Sequence, residues 1–284
     1  MLGVPREEGA APGAVRWRVM LVALVGALAL LLASGLGVRM YSERSGWKSV
    51  SAAIGDYRRL PLSDGSTLEL NTASEIRYRL SEKVRELDLA AGEARFRVAH
   101  DVARPFVVSA GDTVIRAVGT EFTVRIRDDG RVEVVVAGGV VAVSHRVRDG
   151  VVREFLYGRR APPLVGGTAV EAHHRVTDDR GHFALTEMTR PEIDAHDAWR
   201  NNMLVFDEMP LRDIIAEFNR YNRRKLEIAD AALGNVRLGG MYRPRDVEVF
   251  LRNLGTVIAI RAAEKVEGGS DVLRIYDARA PGAP

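Results

Sequence analysis

Over residues 64–141 the chain is cut into short segments by turn-forming residues, and this punctuation constrains the fold more than any other feature. The segments read DGSTLELNTAS, LAAGEARFRVA, RPFVV, AVGTEFTVR and VEVVVAGGVVAV, each joining an alternating or apolar run to a Gly, Asp or Pro. From residue 56 onward candidate strands recur every eight to twelve residues or so, the spacing of an all-β unit. Leu68 and Leu70 alternate with Thr67 and Glu69, and Phe122, Val124 and Ile126 alternate with Thr123, Arg125 and Arg127. Successive strand residues point to opposite faces, so the apolar sets are predicted to be core and Glu69 and Arg125 to face solvent. Asp128, Asp129 and Gly130 suit a hairpin turn, because Gly and Asp tolerate positive φ. The turn leads into Val134, Val135 and Val136, an unbroken apolar run that predicts a strand covered on both faces.

The order and spacing of the five segments resemble the periplasmic domain of the FecR family, membrane-tethered regulators of extracytoplasmic-function sigma factors. The positions that carry the resemblance are Asp64, Gly65, Ser66, Asn71, Gly92, Glu93, Phe96, Pro105, Phe106, Gly119, Thr120 and Phe122. By residue chemistry alone, Asp64, Gly65, Asn71, Gly92, Gly119 and Thr120 read as turn and corner residues without a ligand role. The resemblance implies a FecR-type β domain over residues 56–144 that works by protein contact, without catalysis or cofactor.

Residues 19–38, VMLVALVGALALLLASGLGV, carry no charge. As a helix they would be roughly 30 Å long, one bilayer core. Arg16 and Arg18 precede the run, Arg39 follows it, and Trp17 and Tyr41 stand where amphipathic aromatics favour the interface. The competing reading is a cleavable signal peptide, with residues 19–32 as its apolar region and Ala33, Ser34 and Gly35 after it; twenty uncharged residues are long for that. Arg6, Arg16 and Arg18 nearly balance Arg39, Arg44 and Lys48, so charge does not orient the span. The expected placement, anchored in the inner membrane with the C-terminal domains in the periplasm, follows from the resemblance. Residues 1–18 are rich in Gly, Ala and Pro and lack an amphipathic period, as expected of a short disordered cytoplasmic stub. FecR-type regulators usually carry a longer helical segment there that holds the sigma factor. The resemblance therefore transfers anti-sigma activity to no residue of this stub. Residues 39–55 are expected to form a juxtamembrane linker.

Residues 145–198 include Gly158-Arg159-Arg160, Pro162-Pro163 and Gly166-Gly167, and read as extra strands and a linker. Beyond them Arg212-Asp213-Ile214 recurs as Arg245-Asp246-Val247 at an offset of 33 residues. Each opens a helical pattern, through Ile214, Phe218 and Tyr221 and through Val247, Leu251 and Leu254. Strand-like runs at 204–206, 226–228, 236–238, 257–261 and 272–276 flank the helices, giving two βαβ-like units. WRNNMLVFDEMPL from Trp199, followed by RDIIAEFNRY, is similar to the small secretin and TonB N-terminal domain, called STN. That similarity implies an STN-like α/β domain over residues 199–279, with a tail at 280–284. So small a sheet leaves edge N–H and C=O groups open to another protein's strand. Leu204, Val205 and Phe206, or Val272, Leu273 and Arg274, are the predicted edges for partner binding, while Trp199, Phe206 and Phe218 read as core.

Composition removes several chemistries. The absence of cysteine rules out disulfides, thiolate metal sites and Cys nucleophiles. The net charge is only +3, and the basic clusters at 159–160 and 220–225 read as solvated surface rather than a nucleic-acid face. Among the six histidines His173 and His174 are adjacent, and His100, His145, His182 and His196 have no HxxxH or HExxH partner, so no metal is expected. Ser45-Gly46-Trp47-Lys48 has SxxK spacing, but no KTG or SDN follows. The expected protein has a single transmembrane helix, an all-β FecR-type domain and a small α/β domain of two βαβ-like repeats. Its expected role is a non-enzymatic periplasmic signal relay regulating an extracytoplasmic-function sigma factor. The implied partner is the N-terminal domain of an outer-membrane, TonB-dependent transducer, with the sigma factor itself a further possible contact. The other class consistent with these domains is an envelope assembly or transport scaffold without anti-sigma activity.

Overall fold

The alternating segments become two stacked seven-stranded sheets in the computed structural model, which describes residues 46–146, 168–267 and 270–279. The expected stub, membrane helix, residues 39–45 of the juxtamembrane linker and the tail lie outside the described residues. Among the described residues no helix is long and apolar enough to cross a membrane. The described residues from Ser49 onward cluster as one compact unit.

The first sheet runs β1 (Lys48–Ala52), β4 (Ser74–Leu80), β5 (Arg85–Ala91), β7 (Phe106–Ala110), β8 (Thr113–Ala117), β11 (Val140–His145) and β12 (Thr168–Glu171). The second runs β14 (His182–Glu187), β13 (His174–Asp179), β10 (Val132–Gly138), β9 (Glu121–Ile126), β6 (Glu93–Arg97), β3 (Thr67–Leu70) and β2 (Arg58–Pro61). Leu68, Leu70, Phe122, Val124, Val134 and Val136 of the second sheet pack against Leu87, Leu89, Phe106, Val108 and Ile115 of the first. Phe96 joins the layers, its ring 5.8 Å from Phe106 and 5.1 Å from Phe122. The Asp128–Gly130 turn does link β9 to β10, with Gly130 at φ +82°.

Two boundaries differ from the sequence reading. β1 lies inside the expected linker, and its Ala52 is already in the core. At the other end β12 pairs with β11 and β13 with β10, so strands beyond residue 144 complete both sheets. An uncapped β10 would leave a row of backbone donors and acceptors open; β13 fills it.

After β14 comes α1 (Arg190–His196), which opens on a reciprocal capping box between Thr189 and Glu192. A 3₁₀ turn at Ala198–Asn201 buries Trp199. The remaining chain is a small α/β module. β15 (Leu204–Pro210) pairs antiparallel with β17 (Arg237–Tyr242), while β19 (Ser270–Asp277) lies between β16 (Lys225–Ile228) and β18 (Ile260–Glu267). The helices are α2 (Leu211–Tyr221), α3 (Ala231–Gly234) and α4 (Val247–Val257). Phe218 of α2 stacks on Phe250 of α4 at 4.6 Å, and Phe206 and Tyr242 close the cluster.

The two sequence repeats are present as β15–α2–β16 and β17–α4–β18, but the strands of each fall in different sheets. The final strand, β19, inserts between β16 and β18. That insertion corrects the predicted edges. Val272, Leu273 and Arg274 sit in the central strand of their sheet, with both backbone rows occupied. Leu204, Val205 and Phe206 are in a two-stranded sheet and have a partner on one side only.

Candidate functional site

The outer face of the second sheet is polar, and it is buried. Directly opposed residues in neighbouring strands share a face. One row across the sheet is Arg59, Glu69, Arg95, Thr123, Val135 and Arg175; the next is Glu93, Arg125 and Glu133. Charges of opposite sign thus stand side by side. Glu69 and Arg125 were predicted to meet solvent, yet Glu69 is only 4% exposed. Period-two alternation marks the side of a strand and not what lies against that side. Here the polar side meets α1, the 3₁₀ turn and α2.

Each row has its complement on those elements. Arg200 Nε donates to Glu69 at 2.6 Å, and Arg95 Nε donates to Asp197 at 2.7 Å, with Thr123 Oγ1 3.2 Å from the same carboxylate. In the second row Arg220 reaches Glu93 at 2.7 Å, Arg125 reaches Glu217 at 3.0 Å, and His196 approaches Glu133 at 3.4 Å. Arg220 also pairs with Glu217 one turn earlier on α2. Burial disfavours charge on Glu217, but Arg220 and Arg125 outweigh it and hold the carboxyl below its usual range. Burial likewise pushes His196 down, and the Asp197 and Glu133 carboxylates outweigh it, raising the imidazole to about 10. Glu217 and His196 are therefore both charged at neutral pH.

The family-motif positions fall into two groups. Asp64, Ser66, Pro105 and Phe106 surround the fully buried Arg85, whose Nη1 donates to Asp64 at 2.9 Å while its guanidinium lies over the Phe106 ring. Ser66 donates to Asp64 at 2.7 Å across the Gly65 turn, and Arg85 N donates to the Pro105 carbonyl. Phe96 and Phe122 are core. Gly92 has φ +82°, and a Cβ there would lie 2.6 Å from Ser74 Cα, so only glycine fits. Gly119 packs on His100, and Thr120 is buried. These are corner roles.

Asn71 and Glu93 are more than that. Asn71 Nδ2 donates to Glu93 at 3.1 Å and to Tyr221 Oη of α2 at 2.7 Å, while Glu93 takes Arg220. Thr72 Oγ1 donates to the Arg220 carbonyl at 3.0 Å. Both motif residues thus lock the α/β module onto the sandwich. Sequence reasoning missed the residues that complement the sheet face, Asp197, Arg200, Glu217, Arg220 and Tyr221. Only the TRPE capping box and the Glu217/Arg220 spacing on α2 gave any local sign of them.

A cleft of about 280 Å³ opens beside this seam, between the sheet face and β15. Leu204 and Phe206 anchor β15 in the module core, and Val205 is half-buried at the cleft. Val272 is buried and Arg274 lies 3.6 Å from Glu227. The two predicted docking strands are therefore not equivalent.

The profile of the FecR protein family matches residues 48–142, from β1 to β11. The β domain is a FecR domain. Two crystal structures of a candidate anti-sigma factor from Parabacteroides distasonis are similar in fold, with TM-scores of 0.62 and 0.60 at 18% and 19% identity. They cover 81% and 80% of this chain and 99% and 98% of their own. That span far exceeds the FecR domain, so the likeness takes in structure downstream of β11. No curated protein matches the chain.

Proposed function

We propose that this chain is a membrane-anchored relay of the FecR type, which regulates an extracytoplasmic-function sigma factor by protein contact and has no catalysis of its own. The observation that carries the reading is a FecR domain whose outer face is clamped by α1, the 3₁₀ turn and the α/β module through matched ion pairs. Such a seam suits a relay. Buried charges are stable only while their partners are in register, so an event that shifts the module has a discrete consequence for the sandwich. In this reading residues 19–38 span the inner membrane, the described domains lie in the periplasm, and the module is STN-like. The module receives the N-terminal domain of an outer-membrane, TonB-dependent transducer along β15, at Leu204, Val205 and Phe206.

The test combines topology with output in the native host. Alkaline phosphatase fused after Pro284 should be active, and deleting residues 199–284 should uncouple a sigma-dependent reporter from its inducer. A silent fusion, or a reporter that responds normally without the module, would overturn the reading.

A further inference from the structure

The cleft beside the seam is lined by two residues of different origin, each with a side-chain donor that has no partner among the described residues. Trp199, from the 3₁₀ turn, is 6% exposed, and its Nε1 is buried without a hydrogen-bond acceptor among the described residues. A buried N–H left unmade is costly, and native structures rarely carry one without reason. Arg175, from β13, is half-buried, and its side chain makes no ion pair or hydrogen bond among the described residues. Its strand register puts it opposite Val135, on the sheet face that meets the module.

Three of the four acids that line the cleft are already committed, and the fourth, Asp207, is exposed. Glu217 pairs with Arg125 and Arg220, and Glu93 with Arg220. Glu192 accepts from Thr189 N and Oγ1 in the capping box. Arg175 adds to the field that holds Glu133 and Glu192 ionised, behind their nearer partners. Among the groups that are not exposed, what remains is a guanidinium with no carboxylate of its own. Met188, Met203, Met209 and Phe206 supply the rest of the wall. Thioethers adapt to irregular apolar shapes, and a volume of about 280 Å³ is near the small end of ligand sites.

We propose that this cleft binds a small organic carboxylate with an apolar body. The carboxylate pairs with the Arg175 fork, the apolar body lies among the methionines and Phe206, and an acceptor on the ligand takes the Trp199 indole N–H. Because Arg175 belongs to the sandwich and Trp199 and Phe206 to the segments that cover it, an occupied cleft favours the docked arrangement. The site does not depend on the signalling role proposed above.

Titration calorimetry on the full chain with 3-phenylpropionate and its neutral isostere 3-phenylpropanamide tests this. The carboxylate should bind saturably at one site, and the amide should bind at least about tenfold more weakly. Arg175→Gln should abolish that preference, and Trp199→Phe, which keeps an aromatic ring in the core, should weaken both probes. Circular dichroism identifies a variant that has merely unfolded, and the wild-type comparison of acid with amide stands without any variant. No saturable binding of the acid at millimolar concentration, equal binding of acid and amide, or an acid preference that survives Arg175→Gln would overturn the proposal.

Discussion

Arg220→Met should be among the most damaging single changes outside the hydrophobic core. Arg220 Nη2 is 2.7 Å from Glu93, whose side chain is 2% exposed, and no other cation is paired with that carboxylate among the described residues. Asn71 alone would remain as its donor, at 3.1 Å. Glu217 fares better, because Arg125 stays 3.0 Å away. Removing one partner of a buried pair typically costs about 3–5 kcal/mol, since the other charge stays desolvated. The stranded carboxylate can regain water only if α2 lifts off the sheet. The loss is thus capped by the free energy of docking the module, and undocking should show as new protease sensitivity between β14 and β15. Glu93→Gln in the same chain removes the stranded charge, so the double variant should recover most of the loss, giving a coupling energy of at least about 1.5 kcal/mol in a double-mutant cycle. Urea denaturation of wild type, both single variants and the double variant measures it. As a control, Arg97→Ala removes an exposed pair to Glu121 and should cost less than about 1 kcal/mol. A loss of under about 1 kcal/mol for Arg220→Met, or a double variant no more stable than it, would refute the claim that the seam is desolvated.

Leu68→Ala or Phe122→Ala should cost roughly 2–5 kcal/mol in the same assay, since both fill the space between the sheets, whereas Val102→Ala, at 74% exposed, should stay within about 0.5 kcal/mol. The seam also has a pH signature. The His196 pKa is raised from 6.5 to about 10 on folding, so its contribution is fully present below about pH 6.5 and is lost as pH rises towards 10. Glu133 is lowered from 4.5 to about 2, so its contribution is present above about pH 4.5 and lost towards pH 2. Denaturation midpoints should fall on both sides of this window, and His196→Gln should flatten the alkaline limb; an unchanged alkaline slope would remove His196 from the account.

The strand rhythm, the side of each strand that is apolar, the β9–β10 hairpin, the continuous burial of β10 and helices α2 and α4 of the module were all legible in the sequence. These follow from local rules. Side-chain direction alternates along a strand, glycine accepts positive φ, and apolar residues at helical spacing need a surface to cover. Val134 and Val136 face the sandwich core while Val135 meets Met188 and Ile193, as an unbroken valine run requires. Tertiary structure alone decided what covers the polar faces. Glu69, Glu93, Arg95 and Arg125 look like any solvated charged set, because a carboxylate satisfied by an arginine some 130 residues away leaves no local trace of it. It also decided edges. β19 lies inside its sheet because pairing partners are chosen by three-dimensional packing, and a strand at the end of the sequence need not be at the edge of a sheet. Asn71 and Glu93 mark the meeting of the two levels: motif residues read from a turn signature, whose work is done by the helix that folds back onto them.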